Sequence, residues 1–348
     1  MEVPSKSLIF VTSPLEPEHV ALIRALDPER LEVCYEPELL PPTRYIADHV
    51  GQTFVRTREQ EKRWRDALAC ADILWDLPRR PEDVALARRV RWIQTTSTGV
   101  GQSIKALGLQ SSDVLVTTAR GVHAGPLAEF VFMVLLAQWR GLAHLQGEQR
   151  LHRWTRYCGE EVAGRRIALV GAGDLARGVA ERARSFGLHT VALARDPARQ
   201  RIHNELFGSI APITDLRQVV AASDAIVVAV PHTPETVRLI DRAVFAAMKP
   251  GSTFINIARG QVIDEEALIE HLRNGHLGFA ALDVAAHEPL RPDNPLWDMP
   301  NVLISPHSAS TVAGENSKII EIFLWNLRRW LDQDVQRMRN VLDKHLMY

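Results

Sequence analysis

The chain has 348 residues, 46% apolar and 24% charged, with 41 basic against 42 acidic side chains for a net charge of −1. That balance excludes a disordered or fibrous chain, and it lacks the positive field that non-specific nucleic-acid or acidic-membrane binding relies on. The three cysteines, Cys34, Cys70 and Cys158, stand far apart in no metal-ligand spacing, and the opening MEVPSKSLIFVTSP has no basic start followed by a sustained apolar run. Neither a disulfide framework, a metal site nor a secretory signal is expected, and a reducing, cytoplasmic setting is.

Short β-branched runs alternate with helical patterns throughout, the arrangement of parallel sheets covered by helices. Strands are predicted at 8–12, 31–35, 73–75, 92–95 and 114–118, with helical spacing between them, as at 18–26 and 60–69. A helix over 125–139 follows. Pro126 suits its first position, and LAEFVFMVLLAQW is apolar on nearly all sides, so burial on more than one face is expected, between domains or against a second copy of the chain, the second copy being favoured. This apolar run contains Glu129 and falls short of the about 20 residues of a membrane span. A second strand series is predicted at 166–171, 190–194, 225–230, 253–258, 279–284 and 302–305. Last comes a helical pattern over 313–331, with Ile319, Ile320, Phe323, Leu324, Leu327 and Trp330 at core spacing, expected to cross back to the first sheet. Two strand series imply two α/β domains.

The first motif with chemistry in it opens the second series. In RRIALVGAGDLARGVAERARSFGLHTVALAR a strand ends at Gly171-Ala-Gly173-Asp-Leu-Ala176, a helix follows, and a second strand ends at Arg195. This is a G-x-G-x-x-G/A dinucleotide fingerprint in strand–turn–helix–strand context. Gly171 allows the tight turn, Gly173 lets the backbone approach a pyrophosphate, and Ala176 permits close helix–strand packing. The helix N-terminus, with Asp174 and Leu175, offers N–H groups and partial positive charge to phosphates. At the next strand end an acidic residue would hold the ribose hydroxyls and repel a 2′-phosphate. Here Arg195 stands there, with Arg199 and Arg201 close behind, so NADP(H) is expected over NAD(H), which stays possible because one register slip would bring Asp196 to the ribose.

Four phrases follow: VPHTPETVRLI, INIARGQVIDEEAL, AALDVAAHEPL and NVLISPHSAS. Arg259 comes after the strand FINIA, at the carboxyl end of a sheet, where open α/β sheets bind ligands; a guanidinium there can pair with a carboxylate and polarise an adjacent ketone. His307 follows the strand VLIS. Reducing a ketone with hydride leaves an alkoxide that needs a proton, and imidazole titrates near neutrality. In the family that these phrases resemble, Glu288 in HEPL would be its partner, fixing the tautomer and favouring the protonated ring. His287 is a bystander, and His232 has no role that its chemistry suggests. Together with QTTSTGVGQ, these phrases resemble the D-isomer-specific 2-hydroxyacid dehydrogenase family, most of all its glyoxylate/hydroxypyruvate reductase branch, over about residues 73–330.

The resemblance implies two doubly wound parallel-sheet domains. A Rossmann cofactor domain (120–308) would be inserted into a flavodoxin-like substrate domain (1–119 with 309–348), with the active site in the cleft between them. It implies hydride transfer between NADP(H) or NAD(H) and a small 2-oxo or D-2-hydroxy acid, with Arg259, Glu288 and His307 catalytic. Asp283 would orient the nicotinamide carboxamide. Val230, Pro231 and Thr236 would pass the ribose and adenosine side, with Ile257 and Ala258 in the strand end before Arg259. Thr98, Gly99 and Val100 would offer backbone N–H groups to the substrate carboxylate, and Trp75 would either wall the pocket or sit in the core. A homodimer is expected, with no nucleic-acid or membrane partner.

The chain departs from the family pattern at Gly101, where relatives often carry Asp, and at Asp174, an acidic group beside a pyrophosphate site. Neither Y-x-x-x-K nor HExxH occurs, so short-chain dehydrogenase and zinc chemistry are unsupported. Two other readings stay open: a cofactor-sensing, corepressor-like binding protein on the same scaffold, and a phosphoglycerate dehydrogenase-like enzyme. Glu288, where formate dehydrogenases carry Gln, argues against that third chemistry.

Overall fold

A computed structural model describes residues 6–198 and 204–347. The chain divides into two compact units, Met1–Val122 with Thr311–Tyr348, and His123–Ser310.

The first unit is built on five parallel strands, β1 (Ser7–Val11), β2 (Leu31–Cys34), β3 (Ile73–Trp75), β4 (Trp92–Gln94) and β5 (Leu115–Thr117), in the order β2-β1-β3-β4-β5. This is the flavodoxin-like doubly wound order. Four of the strands carry three or four residues each; β3, β4 and β5 are almost entirely buried, as parallel strands sandwiched between helices must be, whereas the edge strand β2 buries only Leu31. The helix Glu315–Leu331 belongs to this unit and places Ile319, Ile320, Phe323, Leu327 and Trp330 in its core. Trp330 rests against Trp92 with ring centroids 5.7 Å apart, and its indole N–H donates to Ser7 Oγ at 3.2 Å, so a buried polar group finds its partner.

The second unit holds seven parallel strands: β6 (Arg166–Val170), β7 (His189–Ala194), β8 (Ser209–Pro212), β9 (Ala225–Val228), β10 (Thr253–Asn256), β11 (Phe279–Leu282) and β12 (Val302–Ile304). Their order is β12-β11-β10-β9-β6-β7-β8, a Rossmann sheet whose direction of winding reverses between β6 and β9. Alternate residues of one strand enter opposite cores: Ile167 and Leu169 one, Ala168 and Val170 the other. Strand β8 has no counterpart among the predicted strands. Ser209–Pro212 is an edge strand with half-exposed side chains, so it carries no apolar run.

The helix Ala124–Trp139 lies in this unit and packs along Asp174–Ser185, where Gly178 lets the Ala124 carbonyl come close: a Cβ at 178 would stand 2.9 Å from that oxygen. Phe132 is buried and stacks on Phe186 with centroids 5.1 Å apart. The burial on more than one face expected of this helix is thus met for much of its length inside its own unit. Its own sheet and neighbouring helix bury Leu127, Val131, Phe132 and Leu135, and a charge at Phe132 would damage the unit itself. Apolar side chains left outside include Met133 on this helix and Leu142, Leu145, Leu151 and Trp154 beyond it, Trp154 being 99% exposed. No single helix among the described residues is long and apolar enough to cross a membrane.

Candidate active site

All seven strands of the second unit run parallel, so every strand-to-helix loop at their carboxyl ends opens on the same edge of the sheet. Gly171 follows β6 there with φ +117°, and a Cβ on it would lie 2.8 Å from the Ala229 carbonyl oxygen, so only glycine fits. Gly173 is the N-cap of helix Asp174–Ser185, has no side-chain cap, and a Cβ on it would meet nothing within 4 Å. Ala176 is fully buried against the sheet. A tight turn, an open approach and a helix N-terminus aimed along it fit the pyrophosphate of a dinucleotide. Asp174 does not burden the site alone, because its carboxylate pairs with Arg177 one turn on; Leu175 beside it is half-buried.

Arg195 follows β7 as an exposed side chain, and it is among the charges holding the Glu235 carboxyl below its usual range, after the Thr233 hydroxyl and the backbone at Glu235. Asp196 is exposed as well and turns back to accept the Ala198 N–H at 3.1 Å. Arg199 and Arg201 lie outside the described residues. After β9, Thr236 donates to the Pro231 carbonyl at 2.7 Å and accepts the Thr233 N–H at 2.8 Å, closing the turn that begins at Val230. Its hydroxyl therefore shapes the loop from within, while Pro231 faces outward.

The three adjacent strands β10, β11 and β12 deliver the charged groups. Past β10, the buried Asn256 accepts the Ala258 N–H at 3.0 Å and donates to the Arg259 carbonyl at 3.2 Å, so one side chain shapes the loop that presents Arg259. Ile257 and Ala258 are buried. Burial pulls the Arg259 guanidinium below its ordinary range, with the Glu288 and Asp283 charges acting the other way; it stays cationic at any working pH.

Asp283, past β11, is buried and organises the next loop. Its carbonyl accepts the His307 N–H at 2.8 Å, and its Oδ1 accepts the Ser305 hydroxyl at 2.7 Å and the Ala309 N–H at 2.9 Å. His307 adopts φ +54°, a left-handed conformation that costs a non-glycine residue about 1 kcal/mol or more, and these bonds on either side of it hold it there. Its Nδ1 bonds Glu288 Oε2 at 2.8 Å, and Glu288 Oε1 accepts the Ala285 N–H at 3.1 Å. Burial alone would raise the Glu288 carboxyl. The His307 hydrogen bond and charge, the Ala285 N–H and Arg259 outweigh it, so Glu288 sits below the usual carboxylate range.

The second unit thus brings Arg259, Asp283, Glu288 and His307 to one edge of one sheet. His287 is exposed beside them. Thr98, Gly99, Val100 and Trp75 belong to the first unit. Thr98 and Gly99 are exposed after β4, whereas the Val100 side chain is buried. Trp75 is fully buried with its ring against Phe323, centroids 5.4 Å apart, so it is a core residue and does not wall a pocket. Asn256, Gly260 and Ser305 were not singled out from the sequence, although a polar residue inside the apolar run FINIA and a glycine directly after Arg259 were visible signals. No group of three or more His, Cys, Asp or Glu able to hold a metal occurs among the described residues.

Residues 132–309 match the sequence profile described as "D-isomer specific 2-hydroxyacid dehydrogenase, NAD binding domain". D-3-phosphoglycerate dehydrogenase of Mycobacterium leprae is 32% identical over 78% of this chain; the match spans only about half of that relative, 53% of its length. Glyoxylate reductase of Thermococcus gammatolerans is 32% identical, over 64% of this chain and 70% of that protein. Among solved structures, a D-isomer specific 2-hydroxyacid dehydrogenase from Xanthobacter autotrophicus, in complex with NADPH and MES, superposes with a TM-score of 0.76 at 25% identity, covering 99% of this chain and 100% of that one.

Proposed function

The chain belongs to the D-isomer specific 2-hydroxyacid dehydrogenase family, and on that premise we propose that it reduces a small 2-oxo acid, such as glyoxylate or hydroxypyruvate, to the D-2-hydroxy acid with NADPH in preference to NADH. The observation that carries the reading is the 2.8 Å bond between His307 Nδ1 and Glu288 Oε2 on the loops beside the one that presents Arg259. The Gly171–Ala176 turn would hold the pyrophosphate of the dinucleotide, whose nicotinamide would supply the hydride when bound. Arg259 pairs with the substrate carboxylate and stabilises the negative charge that grows on the keto oxygen. His307 Nδ1–H donates to Glu288, which favours the doubly protonated ring; its Nε2–H then passes to the forming alkoxide and leaves a neutral imidazole. Asp283, already bonded to Ser305 and Ala309, is assigned to the nicotinamide carboxamide through its remaining oxygen. Arg195 supports the NADPH preference, since a guanidinium favours a 2′-phosphate.

We also assign the protein to the cytoplasm as a homodimer. The free thiols Cys34, Cys70 and Cys158 suit a reducing compartment, and the exposed Leu142, Leu145, Leu151 and Trp154 suit burial by a second copy. The test is a panel of glyoxylate, hydroxypyruvate and 3-phosphoglycerate with each cofactor in the appropriate direction, run on the wild type and on His307→Ala. The wild type should turn over at least one of them. His307→Ala should lose about 10²–10⁴ in kcat while still quenching cofactor fluorescence. Cofactor binding with no turnover by the wild type would favour a sensing role, and a His307→Ala enzyme with near-native kcat would remove His307 from the reaction.

A further inference from the structure

The loop that carries Glu288 is fastened at both ends by one side chain to which the sequence reading gave no role. Glu265 opens the helix Glu265–Arg273. Its Oε2 accepts the Ala286 N–H at 3.1 Å and its Oε1 accepts the Asn294 Nδ2–H at 2.9 Å. Residues 286 and 294 bracket Glu288, so a single carboxylate closes the span in which Glu288 lies. Asn294 is itself tied to the turn that follows, its Oδ1 accepting the Leu296 N–H at 3.0 Å, and Gln261 Nε2 donates to the Ala286 carbonyl at 2.9 Å. The Glu288 carboxylate and the His307 ring are 40% and 41% exposed. Ion pairs as open as that contribute little and cannot order a loop by themselves. Two bonds to an ionised acceptor can.

We infer that Glu265 is a positioning residue: by clasping residues 286 and 294 it holds the Glu288 carboxylate within hydrogen-bonding distance of His307 Nδ1. The inference rests on the reading of His307 and Glu288 as the proton-delivering pair. A charge at the start of a helix has another use, stabilising the helix dipole. Glu266 in the same first turn shares that use, and among the described residues it makes no hydrogen bond to the loop, so it is the control.

The experiment compares Glu265→Ala, Glu265→Gln and Glu266→Ala, with Glu265→Ala also placed on Glu288→Gln. The readouts are kcat and KM for a 2-oxo acid, cofactor KM, melting temperature, and the Nδ1–H proton signal of His307 in ¹⁵N-histidine-labelled protein without cofactor. Glu265→Ala should lower kcat by about 10–100-fold with cofactor KM unchanged. Glu265→Gln should fall between it and the wild type, because one amide oxygen satisfies one of the two donors. On Glu288→Gln the Glu265→Ala change should add no further loss, and the His307 Nδ1–H signal should broaden or move upfield in Glu265→Ala alone. A folded Glu265→Ala protein with wild-type kcat, a loss that multiplies with that of Glu288→Gln, or an unchanged proton signal each overturns the clasp. If His307→Ala and Glu288→Gln keep their turnover, the functional reading fails, and the proton signal still decides whether Glu265 holds the loop.

Discussion

Gly260 is where the loop bearing Arg259 and the loop bearing Glu288 press against each other. A Cβ on residue 260 would stand 1.9 Å from both the carbonyl carbon and the oxygen of Ala285 and 2.3 Å from the Ala286 nitrogen. Unstrained contact needs about 3.5 Å, so Gly260→Ala forces the two segments apart by about 1.5 Å. Both are backbone, and neither can rotate out of the way. Overpacking of this kind costs about 1–3 kcal/mol, which in a unit of this size lowers the melting temperature by about 2–12 °C. The catalytic effect should be larger in proportion. The displacement separates Arg259 from the Glu288–His307 pair, and a misplacement of about 1 Å costs about 10²-fold in rate. Steady-state kinetics at saturating cofactor, beside thermal denaturation followed by circular dichroism, would read both effects. Gly147→Ala is the reference, since a Cβ there meets nothing within 4 Å and the residue lies inside a helix. A Gly260→Ala enzyme with wild-type kcat and melting temperature would refute the reasoning that this contact sets the distance between the two loops.

Arg195→Glu should lower kcat/KM with NADPH by about 10–100-fold, the worth of a charge-assisted hydrogen bond, and leave NADH less affected; an unchanged NADPH-to-NADH ratio would show that Arg195 does not meet the 2′-phosphate. Because the Glu288 carboxyl is held below its ordinary value of 4.5 in the folded chain, the folded state binds fewer protons there than the unfolded one. Its contribution to stability is therefore complete above pH 4.5 and is lost as the pH falls through the lowered value. The melting-temperature advantage of the wild type over Glu288→Gln should shrink on acidification below that pH, and a difference that does not vary with pH would contradict the sign. Replacing Leu151 and Trp154 together by serine should shift the mass measured by light scattering from dimer to monomer without lowering the unit's melting temperature, and a wild type that is already monomeric would dispose of the dimer.

Much of the architecture and of the chemistry is legible in the sequence alone, because both are written in short-range patterns. Parallel strands must be buried on both faces, so they read as compact apolar runs. The glycines at 171 and 173 answer to backbone requirements a few residues wide, and Arg259 and His307 each stand directly behind such a run. The edge strand Ser209–Pro212, with half-exposed side chains, gives no such run and is invisible. Tertiary structure alone decided what depends on segments far apart in the chain. It buried Trp75 against Phe323 and Phe132 against Phe186, and it made Asp283 the anchor of the His307 loop through bonds to residues 305, 307 and 309. It also joined Glu265 to Ala286 and Asn294. Local propensity carries no information about such partners. They meet only because neighbouring parallel strands in register bring their carboxyl ends to one edge, and which donor then faces which acceptor is settled by packing.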